Sequence, residues 1–435
     1  MSMHRNTKHA PVLAVGTILS AFCLFAPVPS LAQPYTVVDL GALVPGQPSV
    51  AFTISDDGNV VGYYLSNGSF QAVEWQNATT TTPKLVKLGP AGQNSIAFSI
   101  NYKAGKPVIV GEINPSGFEE AERFDKSLLL DPVDDSDSIF NIAYNSNDAG
   151  TIVGVSGLPS DPTNAHAVVF SSSPPFNLGN FGTDNSVAFD TNNDLSSIQH
   201  VVGTAATASG PSHAFFHTGI STKLNKSTDD LGTLGTGLNS EATCINKWNQ
   251  VAGWSNVKKC SSGKAVSHAF LWQASKGMQD LGTPAFASMV KDQHGHVQKV
   301  QRVSTFTRLQ NTSDREGGEC MNGRDIGAIG TPNPQPQIVG YAQLFYGPPP
   351  TGFPVTCVPA TIASKSFTRA FLFDETLPGQ MIDLNTQIPP NSGWYLSYAW
   401  GINNLGQIVG EGLINGNKHA FLLLPIITAT ITNVP

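Results

Sequence analysis

The sequence predicts an all-β chain folded as a seven-bladed β-propeller with four strands per blade, and three observations carry that prediction. A unit of about 40 residues recurs along the chain, the period of a propeller blade. Within each unit the apolar runs are too short for helices and are separated by turn-forming residues, as in ATCIN, QVAGW, HAFLW and MQDLG between Ser240 and Gly282. Four independent landmarks, one per predicted strand, each occur seven times.

The opening strand reads S-x-A or close to it from Ser49, Ser95, Asn141, Ser186, Ser240 and Ser397, with a degenerate form, EGGECMN, from Glu316. The second strand ends on Val-Gly or Ala-Gly at Gly62, Gly111, Gly154, Gly203, Gly253, Gly340 and Gly410. The third begins at Gln71, Glu120, His166, His213, His268, Arg369 and His419, most often as His-Ala-Phe or His-Ala-Val. The closing strand ends on Leu-Gly or a relic of it at Gly41, Gly89, Asp131, Gly179, Gly232, Gly282 and Asn385.

The combination S-x-A-x-x-I-N, G-x-V-V-G, H-A-F-L-W and D-L-G resembles the bacterial extracellular repeat family called HAF after its His-Ala-Phe tripeptide. The resemblance covers essentially all of the chain after residue 32. It implies an exported, propeller-like repeat protein in a family with no assigned biochemical role. Gln71 and Glu120 depart from the tripeptide and the sixth unit carries long insertions, which weakens any functional reading of the histidine itself.

From its start, the chain reads as a signal peptide over residues 1–32. His4, Arg5, Lys8 and His9 form a basic region, Pro11 to Phe25 an apolar one, and Ser30-Leu31-Ala32 a cleavage site. An uncleaved anchor is disfavoured because the apolar run is shorter than the roughly 20 residues of a span and is followed by Pro27 and Pro29. Phe22 before Cys23 is too bulky for a lipoprotein signal. Cleavage near Ala32 leaves 33–435 as a single secreted domain, extracellular or periplasmic, with no membrane span, read as a monomer. Of 24 basic residues, removal of Arg5 and Lys8 leaves 22 against 31 acidic, a formal charge of −9. That charge, with no basic stripe, excludes nucleic acid as a partner.

Asn or Asp followed by Gly in SDDGNVVG, SNDAGTIVG and NNLGQIVG marks hairpin turns. The Asp-box-like Ser146, Asp148 and Gly150 fall in one of them and read as a turn too. The tripeptide histidines His166, His213, His268 and His419 sit in different blades, too far apart for the short ligand distances of a metal. Each is expected to hydrogen-bond backbone nearby. No metal, cofactor or catalytic set is predicted. There is no nucleophile elbow, zinc motif or Walker loop, and Asp131, Asp134, Asp135 and Asp137 lack the pattern of a calcium loop.

Irregularity concentrates in insertions at 283–315 and 341–367. These supply the candidate ligand-binding residues: His294 and His296 beside Asp292 in the first, and Phe345, Tyr346 and Phe353 in the second. Four cysteines remain after processing and allow three pairings; Cys244–Cys260 and Cys320–Cys357 are expected, each inside one blade. The chain opens with a closing strand, YTVVDLG, and ends on a third strand, HAFLLL, so the N-terminal strand should complete the last blade.

The function predicted is non-catalytic: a secreted propeller binding an extracellular polysaccharide or protein through its loop face. The alternative is a glycan-active or phosphoester-active enzyme whose carboxylates converge from several blades at the channel mouth.

Overall fold

The computed structural model divides into Met1–Ala32 and Gln33–Pro435, and the second unit is the subject here. The residues described are 35–114, 119–130, 140–158, 161–172, 174–193, 198–235, 238–259, 265–284, 289–306, 336–346, 365–375 and 381–426.

Seven antiparallel sheets form the seven blades of a propeller. Blade 7 contains the first strand of the chain, β1 (Tyr35–Asp39). Blade 1 is β2 (Ser49–Ile54), β3 (Val60–Ser66), β4 (Ser69–Gln76) and β5 (Lys84–Lys87). Blade 2 is β6 (Asn94–Lys103), β7 (Lys106–Asn114), β8 (Glu120–Arg123) and β9 (Leu128–Leu129). Blade 3 is β10 (Phe140–Ser146), β11 (Ile152–Leu158), β12 (Asp161–Val169) and β13 (Phe176–Gly179). Blade 4 is β14 (Gly182–Asn193), β15 (Gln199–Thr207), β16 (Ser212–Thr218) and β17 (Asp230–Gly232). Blade 5 is β18 (Ser240–Ile245), β19 (Val251–Lys259), β20 (Ala265–Gln273) and β21 (Gly277–Asp280). Blade 6 has five strands, β22 (Met289–Lys291), β23 (Val297–Phe306), β24 (Gln337–Tyr346), β25 (Lys365–Asp374) and β26 (Met381–Asp383). Blade 7 adds β27 (Trp394–Ile402), β28 (Ile408–Ile414) and β29 (Asn417–Pro425). The expected closure is present: β1 lies along β29 from Tyr35 opposite Pro425 to Asp39 opposite Phe421. No helix among the described residues is long and apolar enough to cross a membrane.

The core lies between neighbouring sheets. Val202 and Ala214 of blade 4 pack with Ala242, Val251 and Phe270 of blade 5, and Val153 and Leu178 of blade 3 with Val201 and Phe215 of blade 4. The sequence landmarks are the parts of this junction. In blade 5 the alanine of S-x-A, Ala242, pairs with Gly253, and the register then slips by one residue in a β-bulge. The bulge pushes the Glu241 carbonyl so close to Gly253 that a Cβ there would overlap it. The same clash awaits a Cβ at Gly62, Gly111, Gly154, Gly203 and Gly410. The opening serine joins one blade to the one before it. Ser240 Oγ accepts the Ala214 N–H at 2.8 Å and donates to the Gly232 carbonyl at 2.5 Å; Ser186 does the same to Ala167 and Gly179. Ser49 receives the Ala420 N–H at 3.0 Å across the closure.

Three of the four tripeptide histidines bond to a carboxylate, where a backbone partner was expected. Nδ1–H of His213 donates to Asp230 at 2.9 Å, that of His268 to Asp280 at 2.8 Å and that of His419 to Asp39 at 2.9 Å. Each of these aspartates is the first residue of D-L-G and also accepts a backbone N–H from two or three residues on, so the pair fastens the outer strand and its turn together. The backbone partner does occur where the histidine is replaced, since Gln71 Nε2–H donates to the Gly89 carbonyl at 3.1 Å.

Burial sets what each clamp is worth. In blade 6 Arg369 Nε–H donates to Asp383 at 2.8 Å with both side chains 9% exposed, whereas Asp280 beside His268 is 42% exposed. Arg369→Ala strands a buried carboxylate and is expected to cost about 3 kcal/mol. His268→Ala should cost below about 1 kcal/mol because solvent screens the pair. Urea unfolding of the two variants measures the difference, and equal shifts would refute the assignment.

Blade 6 departs from the reading of the sequence. Its inner position is held by β23, which pairs with β24 from Val300 opposite Tyr346 to Phe306 opposite Tyr341, rather than by the run expected from Glu316. Much of 283–315 is therefore sheet. β23 is rich in β-branched residues but carries no S-x-A, which is why the repeat alignment passes over it. Within 341–367, β24 continues to Tyr346 and β25 starts at Lys365, paired over ten residues.

Cys244 is fully buried on β18, facing the blade 6 core, and is disulfide-bonded. Cys260, Cys320 and Cys357 lie outside the described residues. Both expected bonds, Cys244–Cys260 and Cys320–Cys357, therefore involve residues that lie outside the described ones.

Candidate functional site at the mouth of the ring

The inner strands bring the same repeat positions to the axis. The residue after the S-x-A alanine is Phe52, Phe98, Tyr144, Phe189 and Trp400 in five blades. Their rings meet around the ring of blades: Phe52 to Phe98 at 5.7 Å, Phe98 to Tyr144 at 5.7 Å, Tyr144 to Phe189 at 5.3 Å and Phe52 to Trp400 at 6.4 Å. Tyr341 of blade 6 adds to Trp400 at 6.1 Å, and Trp254 joins the same cluster. The rings thus form an aromatic layer shared by neighbouring blades, each buried ring contributing about 2 kcal/mol.

Beyond this layer the inner strands of six blades carry a polar residue at or near their ends: Ser55, Asn101, Asn147, Asn192, Asn246 and Asn403. The asparagines do two jobs. Their Oδ1 atoms cap the turn, as Asn403 Oδ1 accepts the N–H of Leu405 and Gln407, Asn246 that of Trp248 and Gln250, and Asn147 that of Thr151. Their Nδ2–H groups reach the next blade. Asn101 donates to the Ser146 carbonyl at 2.9 Å, Asn147 to Asn192 at 3.1 Å, Asn192 to Asn246 at 2.6 Å and Asn403 to Ser55 at 3.0 Å. Each buried bond adds about 1 kcal/mol and sets the angle between blades. The turns are turns, as expected, with Gly58, Gly150 and Gly406 at φ between 74° and 81°.

Together the turns enclose a cavity of about 560 Å³, floored by Ile54, Ile100 and Ile245. Its walls carry Asn101, Tyr102, Asn147, Asn192, Asn246 and Asn404, three carboxylates, Asp56, Asp57 and Asp148, and one ammonium, Lys247. Asp56 accepts the backbone N–H and the Nδ2–H of Asn404 at 2.9 and 2.8 Å. Burial raises the Asp148 carboxyl above its ordinary range, and the charge of Asp56 across the mouth raises it further. Carboxylates do converge at the mouth, the arrangement on which the choice between binding and catalysis turns.

The residues predicted for ligand binding lie elsewhere. His294 and His296 are exposed on the turn from β22 to β23, their rings 6.2 Å apart. Asp292 organises that turn by accepting the N–H of both at 2.9 Å and Gln298 Nε2–H at 2.9 Å. Phe345 and Tyr346 end β24, paired with β23 and β25. Phe353 lies outside the described residues. Inner strands run toward the mouth, so the start of β23 is at the opposite end of the ring. No described residue of blade 6 lines the cavity.

A second cavity, of about 480 Å³, opens between His217, Thr222, Asp229 and Trp272. His217 Nδ1–H donates to Asp229 at 2.7 Å, and Nε2 stands 3.0 Å from both the carbonyl and hydroxyl oxygens of Thr222. Burial alone would raise the Asp229 carboxyl. Hydrogen bonds from His217, the Asn225 N–H and Thr228 outweigh it and hold the group below its usual range. The arrangement ties the 218–229 loop to β16. Among the described residues no group of three or more His, Cys, Asp or Glu could hold a metal. No protein-family model and no curated protein matches the chain.

Proposed function

We propose that this is an exported propeller that binds an extracellular polysaccharide in the mouth cavity. The observation that carries the reading is the wall of that cavity: side-chain amides and carboxylates from six blades around an apolar floor, with Tyr102 at the rim. Such groups meet vicinal hydroxyls in pairs, and a tyrosine face covers the apolar face of a sugar ring. The amino-terminal basic and apolar segment supports export, and the resemblance to HAF repeats supports an extracellular repeat protein of this kind. An oligosaccharide array probed with the wild-type chain and with Asp57→Ala/Asp148→Ala should give at least about ten-fold weaker retention for the double variant, two lost polar contacts at about 1 kcal/mol each. Retention unchanged in the variant moves the site off the mouth.

The convergence of Asp56, Asp57 and Asp148 on one cavity favours a second reading, hydrolysis by carboxylates at the mouth, in which Asp148, its carboxyl raised by burial, is the proton donor. Release of reducing ends from a bound glycan, lost in Asp148→Asn with binding retained, would establish it.

A further inference from the structure

We propose that the mouth cavity selects glycans carrying free amino groups, that is, cationic amino sugars in preference to neutral or N-acylated ones; this rests on the saccharide reading above. The argument is a count of unmet hydrogen-bonding capacity. Donors of the asparagine ring are engaged inside the protein: Asn101, Asn147 and Asn192 each give an Nδ2–H to a carbonyl of the next blade, Asn246 gives one to Gln250 at 2.7 Å and Asn404 one to Asp56. Acceptors remain. Asn192 is only 6% exposed, lines the cavity, and its Oδ1 is buried with no hydrogen-bond partner. A buried acceptor without a donor is costly, and a ligand that supplies one recovers that cost. Asp57 and Asp148 stand on the same wall, and three carboxylates face one ammonium, that of Lys247.

A cavity with a buried acceptor that has no donor and with a negative charge overall is complementary to a group that only donates and carries positive charge. An ammonium has three donors, no acceptor and a positive charge to set against the carboxylates, whereas a hydroxyl is neutral with a single donor and an N-acetyl group is neutral and brings a carbonyl. The charge also brings the ligand in from solution and weakens with salt. Anionic glycans are repelled.

The test is calorimetric titration of the full chain with short β-1,4-linked oligomers of glucosamine, N-acetylglucosamine and glucose, with polylysine as a further probe. The glucosamine oligomer should bind about ten-fold or more tightly than the other two sugars, the size of one charge-assisted hydrogen bond. Asp57→Asn/Asp148→Asn should erase that preference while leaving the circular dichroism and melting curve unchanged. Equal affinity for the glucose and glucosamine oligomers overturns the inference and leaves the saccharide reading standing. Binding to none of the sugars overturns both. Polylysine that binds as tightly as the glucosamine oligomer and is not displaced by it overturns the inference by showing attraction to charge alone.

Discussion

A chain that begins at Gly46 is expected to lose most of its stability relative to one that begins at Gln33, although it forgoes only the few residues of one short strand and its turn. The strand β1 is the outer strand of blade 7 and carries the start of the chain into its last blade. Its removal exposes the β29 edge and takes away the Asp39 partner of His419 at 2.9 Å. Leu40, 1% exposed, goes with it, as does its carbonyl, which accepts Trp75 Nε1–H at 3.2 Å and so ties blade 7 to blade 1. Tyr35, Leu40 and Val44 are all buried, and each contributes about 2 kcal/mol. Set against a whole-domain stability of about 5–15 kcal/mol, such a loss leaves little folded protein at 37 °C. The melting temperature should fall by more than about 10 °C, with aggregation through the unpaired edge. An unchanged melting temperature would show that closure does not stabilise the ring.

Closure was legible because it depends on local signals. YTVVDLG matches a closing strand wherever it stands, and HAFLLL lacks one after it. The partners of the landmarks were harder to see, since they lie across strands, yet a signal was present. In four units D-L-G or its variant D-L-N begins with Asp39, Asp230, Asp280 or Asp383, and these units carry His419, His213, His268 and Arg369. Where the histidine is Gln71 the matching residue is Lys87, and where it is His166 the match is Asn177. Variation among the repeats of one chain therefore marks the clamp, because a histidine that donates to a carboxylate has no use for a lysine in its place.

The mouth was illegible for a different reason. Asp56, Asp148, Asn192, Lys247 and Asn404 come from five separate turns, each of which has a sufficient explanation as a turn. Only the ring geometry brings them together. Asn192 Oδ1 has no sequence signature at all, because its lack of a donor is a property of the neighbouring blade. The insertions of the sixth unit drew attention instead, since irregularity in a repeat reads as function. β22 and β23 turn part of that irregularity into sheet. Sequence period detects what all blades share, and a site built from shared positions hides inside the period.

Substitution of Gly253 by alanine is expected to cost far more stability than one added methyl group ordinarily does. The β-bulge after Ala242 is common to the inner strands, and it aims the Glu241 carbonyl at the Gly253 Cα while the Phe270 ring lies 2.9 Å from where a Cβ would be. Neither neighbour can withdraw. The carbonyl is backbone within a paired strand, and Phe270 is fully buried between blades 4 and 5. Relief requires β18 and β19 to separate, which breaks the Ser240 junction to Ala214 and Gly232 as well. The cost should be about 4 kcal/mol, above the usual range for an overpacked core because backbone rather than a side chain must move. Gly46→Ala is the control. Gly46 sits at φ 72° with nothing within 4 Å of the added carbon, so it pays only the left-handed backbone penalty of about 1 kcal/mol. Urea unfolding followed by tryptophan fluorescence compares the two directly. A Gly253→Ala midpoint no lower than that of Gly46→Ala would mean that the bulge yields, and that the glycine recurring within the second strand of each repeat is there for some reason other than close approach.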